Sequence, residues 1–178
     1  MLVLRDILDH VAGRNTGALG DDIANGMDRY CPQYEITTHL RLAHFIAQAC
    51  HETGGFRYLQ EIWGPTDAQK RYEYRKDLGN TKLGDGHMFR GRGIFQLTGR
   101  ANYERVGKSL GLPLIVDPDL AADPQVSVRI AGHYWSTHQI NVPADANDIV
   151  RVTRAINGGL NGLGDRKACF IRARQMLP

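Results

Sequence analysis

The segment from Thr38 to Glu52 constrains the fold more than any other part of the chain. Leu42, Phe45, Ile46, Ala49 and Cys50 recur at helical spacing and share one apolar face. Thr38 stands where an N-cap belongs. Gly54 and Gly55 follow at once, and glycine accepts the left-handed exit that a helix end often needs. An apolar helix that stops at a double glycine has to hand the chain to a turn, so the residues beyond it can come back beside its end.

The rest of the chain reads mostly as helix. Residues 2–12 carry a stripe of Leu4, Ile7, Leu8 and Val11, and a second short helix is predicted over 21–28. Further helices are expected near 100–110, closed by Gly111, and after Pro124, with Val128, Ile130, Ala131 and Trp135 inward. Two more fall over 148–156, with Ile149, Val152 and Ile156 in register, and over 165–176. Residues 56–89 are polar, aromatic and turn-rich, with one short helix near 66–75. Phe89 to Gly99 reads as a short extended piece between glycines. The expected architecture is mainly α, with a small extended insert beside a cleft. A chain of 178 residues without repeats or linkers is expected to form a single domain over 1–178.

Composition removes several function classes. Apolar residues make up 42% and charged residues 23%, a balance ordinary for soluble proteins. The formal charge of +3 comes from dispersed Lys and Arg, which argues against a nucleic-acid partner. No stretch approaches the length of a membrane span, so no membrane insertion is expected. Seven histidines form no His-x-x-x-His pair and three cysteines are too few for an all-cysteine site, so neither metal nor cofactor is expected. Cys31, Cys50 and Cys169 fit three reduced thiols, or one bridge and a free thiol. The first ten residues are broken by charge and lack the parts of a secretory leader, so any action outside the cytoplasm is expected to need another exit route.

Two carboxylates then stand out, nine residues apart across the double glycine. Glu52 falls in the last turn of the apolar helix, near its buried face. The field at a helix C-terminus and partial burial both favour the protonated form, which a general acid requires. Glu61 lies just past the turn and is the candidate base. In unbroken helix the two would be about 13 Å apart and point to opposite sides. Only the break at Gly54-Gly55 lets them share a cleft. A carboxyl pair about 6.5–9.5 Å apart leaves room for water and inverts, whereas about 5–5.5 Å favours a covalent route. Single displacement by water is the simpler expectation. Glu73 and Asp67 compete with Glu61 from weaker local settings.

Other residues complete a sugar-binding lining. In an extended piece Gln96 and Thr98 face one side, where Gln96 can hold a sugar amide and Thr98 can position water. Asn102, just past the next turn, suits an N-acetyl group. Asn157 ends an apolar-striped helix before Gly158-Gly159 and either reaches the cleft or caps the turn. Arg166 either braces a carboxylate or faces solvent. Tyr58 and Trp63, with Tyr72 and Tyr74, offer flat faces to sugar rings or pack in the core. His51 beside Cys50 points about 100° away from it, which is poor geometry for a thiol nucleophile.

Taken together, His51-Glu52-Thr53-Gly54-Gly55, Glu61, Gly91-Arg92-Gly93-Ile94-Phe95-Gln96-Leu97-Thr98 and Ile156-Asn157-Gly158-Gly159 resemble glycoside hydrolase family 19 over about residues 38–175. The likeness is to its compact phage endolysins more than to plant chitinases. It implies a two-lobed, lysozyme-like fold and an inverting mechanism. Within it Glu52 matches the acid, Glu61 the base, and Gln96 and Thr98 the Gly-Arg-Gly motif, with Thr98 orienting water. Asn102 and Asn157 match cleft asparagines, and Arg166 matches the arginine of the carboxylate network. The plant cysteine set is missing, and Asn141-Val142-Pro143-Ala144 stands where chitinases show Asn-Lys-Pro-Ser.

The resemblance therefore implies a muramidase acting on peptidoglycan glycan strands, as a monomer without a separate wall-binding domain. It would be made in a bacterial host's cytoplasm and reach the wall through a hole opened by a holin-like protein. A small chitinase, a lytic transglycosylase and a non-catalytic glycan-binding module are the alternatives.

Overall fold

The computed structural model describes residues 4–177. Its α-helices are α1 (Leu4–Ala12), α2 (Gly17–Tyr30), α3 (His39–Glu52), α4 (Asp67–Lys70), α5 (Asp85–Met88), α6 (Arg100–Leu110), α7 (Pro124–Thr137), α8 (Asn141–Asp145), α9 (Ile149–Asn157) and α10 (Leu163–Met176). The expected start of the first helix at residue 2 lies outside the described residues. Helix makes up 63% and strand 2%, so the mainly α expectation holds and the extended insert shrinks to isolated bridges.

The sequence stripe understates α3. Its Thr38 cap is present, with the side chain accepting from the Arg41 N–H. Ala43 through Cys50 are all buried, including His44 and Gln48. A helix buried on every side is a central one. α10 packs along it most extensively, with α1, α8 and α9 around the remainder.

Two hydrophobic clusters give the two lobes. The larger gathers Ile7, Leu8, Met27, Phe45, Ile46 and Trp135 from α1, α2, α3 and α7. The smaller gathers Phe89, Tyr103, Val106, Leu114, Ala121 and Ile130 around α6. α7 serves both, turning Trp135 into one and Ile130 into the other.

Three local expectations change. α2 runs over 17–30 rather than 21–28, because Asp9 holds Thr16 through its N–H and hydroxyl and Asn15 accepts from the Gly17 N–H. The helix expected near 66–75 stops at Lys70. Tyr74 is left-handed, and the Glu73 carboxylate is taken by the Gly84 and Gly86 N–H groups.

The piece over 89–99 is not an extended strand. Arg92 and Leu97 exchange backbone hydrogen bonds of 3.1 and 2.8 Å, closing a turn over 93–96 in which Gln96 takes a φ of +50°. The buried Arg92 anchors that turn, donating to Asp119, the Met88 carbonyl and the Tyr103 hydroxyl. Ile94 is buried in the larger cluster and Leu97 packs on the smaller, which puts Gln96 and Thr98 at the junction of the lobes.

Candidate active site

One wall is helical. α3 ends at Glu52, and the chain leaves it through Gly54 and Gly55 at φ of +60° and +76°. Such values are costly for residues with a side chain, so the sharp exit rests on glycine. Arg166 reaches across from α10. Its guanidinium donates to Glu52 Oε1 at 2.5 Å, to Gln48 Oε1 at 2.5 Å and to the Asn161 carbonyl at 3.1 Å. Gln48 in turn donates to Thr153 at 3.3 Å. Arg166 is 1% exposed, so its charge has to be matched inside the protein, and Glu52 does this. The helix-end argument from sequence lacks this cation. Glu52 stands in an ion pair instead of as an isolated half-buried carboxyl.

The other wall is a loop. Having turned back, the chain docks beside the Gly91 segment, with the Glu61 N–H donating to the Gly91 carbonyl at 2.9 Å. The Glu61 carboxylate accepts from Gln69 Nε2 at 3.0 Å and from the Gly91 N–H at 3.1 Å. Both donors are neutral, so they fix the carboxylate without cancelling its charge. Burial and the nearby Glu61 charge push the Tyr72 hydroxyl up from its ordinary value. Gly91 lets both side chains close in: a Cβ there would lie 2.4 Å from Gln96 Oε1, which would have to move, and 3.4 Å from Glu61 Oε2. Gln96 and Glu61 thus converge on one face of Gly91.

A cavity of about 530 Å³ is lined by Gln96, Thr98, Asn102 and Tyr134, while Glu52 and Glu61 lie outside its lining. Tyr134 connects it to the helical wall, since burial and the Glu52 charge together raise its hydroxyl. The Thr98 hydroxyl donates to the Gln96 carbonyl at 2.8 Å, and Asn102 donates to the Thr98 carbonyl at 2.7 Å. Asn157 Oδ1 is buried with no hydrogen-bond partner among the described residues. Among those residues no group of His, Cys, Asp and Glu side chains could hold a metal ion.

A family profile described as Chitinase class I, glycoside hydrolase family 19, matches residues 24–159. The chain belongs to glycoside hydrolase family 19. It is 36% identical over 155 residues to a glycosyl hydrolase family 19 domain-containing protein of Haemophilus influenzae, covering 71% of this chain and 75% of that one. To an endochitinase of Arabidopsis thaliana it is 38% identical over 120 residues, or 66% of this chain and 39% of the plant protein. The chain therefore spans well under half the length of that plant relative. Chitinase C of Streptomyces griseus superposes with a TM-score of 0.78 at 24% identity, covering 98% of this chain and 76% of that one. Membership of family 19 makes the protein a glycosidase.

Within this family 19 frame the expected site residues take distinct places. Gln96 and Thr98 meet at one cavity through a tight turn, not through strand alternation. Arg166 is on Glu52. Tyr58 is exposed and lies over Gly54, whereas half-buried Trp63 meets the His87 ring edge-on at 5.1 Å. The competitors to Glu61 are engaged elsewhere, Asp67 with Lys70 on the surface and Glu73 with its loop. His51 pairs with Asp165 at 2.6 Å. Cys50 is buried against Cys169, and all three cysteines are free. Sequence reasoning missed Gln48, Gln69 and Tyr134. A glutamine inside the apolar run of α3 was the one visible signal. Gln69 and Tyr134 had none, because their partners are 8 and 82 residues away in the chain.

Proposed function

We propose that this glycosidase is an endolysin-type muramidase that hydrolyses the β-1,4 bond between N-acetylmuramic acid and N-acetylglucosamine by single displacement. The observation that carries this reading is the unlike anchoring of two carboxylates, Glu52 by the Arg166 guanidinium and Glu61 by Gln69 and the Gly91 N–H. Glu52, bonded by Arg166 through Oε1, serves as the acid toward the leaving oxygen, and Glu61, bonded by Gln69 and the Gly91 N–H, serves as the base toward water. Thr98 and the Gln96 side chain orient that water and the sugar amide, while the unpartnered Asn157 Oδ1 waits for a donor from the glycan.

The protein acts as a monomer in the cell wall, after a separate holin-like protein has opened the membrane. Among the described residues no helix is long and apolar enough to cross a membrane. A small chitinase using the same groups is the second reading, favoured by the endochitinase relative.

Purified sacculi and chitin oligomers digested by wild type and Glu52→Gln separate these readings. A muramidase releases reducing N-acetylmuramic acid ends of inverted anomeric form, and the variant releases almost none. Cleavage of chitin alone supports the chitinase, and anhydro ends would sink the hydrolytic reading.

A further inference from the structure

The cavity beside Gln96 and Thr98 has a neighbour. A second hollow, of about 410 Å³, is lined by Gln139, Val142, Arg151 and Arg154. His138 lines both. Its ring stacks on Tyr134 with centroids 3.8 Å apart, and its Nδ1 lies 2.8 Å from the Tyr134 carbonyl oxygen, so the junction is built and not merely crossed by a loose side chain.

The far end of this groove is positively charged and uncompensated. Arg151 and Arg154 are exposed on one face of α9, three residues apart. Among the described residues neither guanidinium has a carboxylate partner within 4 Å. Of the carboxylates nearby in sequence, Asp145 is paired with Arg41, and Asp148 caps α9 by accepting from the Arg151 N–H without forming an ion pair with either guanidinium. Arg105 adds to the charge along the near cavity.

A polymer of N-acetylglucosamine is neutral and gains nothing from two bare guanidinium groups. A peptidoglycan strand carries a carboxylate-bearing peptide on its N-acetylmuramic acid units. We infer that the hollow of His138, Arg151 and Arg154 is a subsite for the peptide-stem carboxylates of a strand whose sugars lie along Gln96, Thr98 and Asn102. This rests on the muramidase reading and deepens it: the groove selects glycans that bear anionic peptides. Val142 supplies no charge there, and the guanidinium groups of α9 do.

The test compares kcat/KM on soluble peptide-bearing glycan strands with that on the same strands stripped of peptide by an amidase. Wild type is set against Arg151→Gln/Arg154→Gln. Two exposed charge contacts correspond to a preference of roughly three- to tenfold for peptide-bearing strands in wild type. The double variant should bring that ratio to about one, and added salt should erode it in wild type as it screens the charges. Urea midpoints confirm that the variant is folded, both positions being at the surface. A ratio unchanged by the double substitution, or equal cleavage of both strands by wild type, overturns the subsite and leaves the muramidase reading standing. Wild type that cuts chitin oligomers but neither strand overturns the muramidase reading, and the subsite with it.

Discussion

On the helical wall, Glu52 is held by a buried cation, and on the loop wall Glu61 is held by an amide and a backbone N–H. The first arrangement draws on α3 and α10, the most closely packed pair of helices. The second draws on a four-residue helix, a turn and the Gly91 backbone. The proposed acid and base thus sit in different surroundings, one built from packed helices and the other from a loop.

The largest effects should come from removing each charge in turn. General acid and base groups each contribute about 10²–10⁴ in rate, so Glu52→Gln and Glu61→Gln should each lower kcat on the glycan by that order. The acid should be the costlier loss, because it serves bond cleavage directly. Glu61→Gln also turns an amide N–H toward the Gly91 N–H, so the loop should shift where the α3 end does not. A Glu61→Gln enzyme with nearly full rate would break the division of roles and favour a transglycosylase.

Stability should separate the walls next. Arg166→Met leaves Glu52 and Gln48 Oε1 without their donor in a buried setting and should cost about 3 kcal/mol. Gln69→Ala removes hydrogen bonds confined to the loop and should cost about 1 kcal/mol. Urea unfolding of the two variants measures the difference, and equal losses would erase the contrast between the walls.

A further contrast is in acid. On α3, His44 is buried against Phe170, and burial pushes it down to about 4 from the ordinary 6.5. The unfolded chain takes that proton first, so this contribution is whole above pH 6.5 and is lost as pH falls toward 4. On the loop side Asp85, bonded by Arg100, is held at about 2 against an ordinary 3.8, and its contribution is lost only between those values. Urea midpoints should therefore fall in two windows. His44→Phe should flatten the upper one and leave the lower.

Much of the site was legible in residue order because it lies at element ends. The Thr38 cap, the Gly54-Gly55 stop and Pro124 at the head of α7 are local signals, and the fold follows each. Glu52 and Glu61 stood out because a helix terminator lies between them. The turn over 93–96 was read as a strand. Alternating Phe95-Gln96-Leu97-Thr98 looks extended, and nothing nearby reveals that Arg92 will be buried and tie the chain to Asp119 and Tyr103.

Local rules thus reached the helices, their ends and the candidate acids, since capping, periodicity and glycine conformation depend on neighbours within a turn or two. What surrounds each acid was left to packing. The ion pair of Glu52 with Arg166 spans 114 residues, and Tyr134 meets the field of Glu52 from 82 residues away. Charge acts through space and not along the chain, so the chemical character of the groove emerges only when the helices have met.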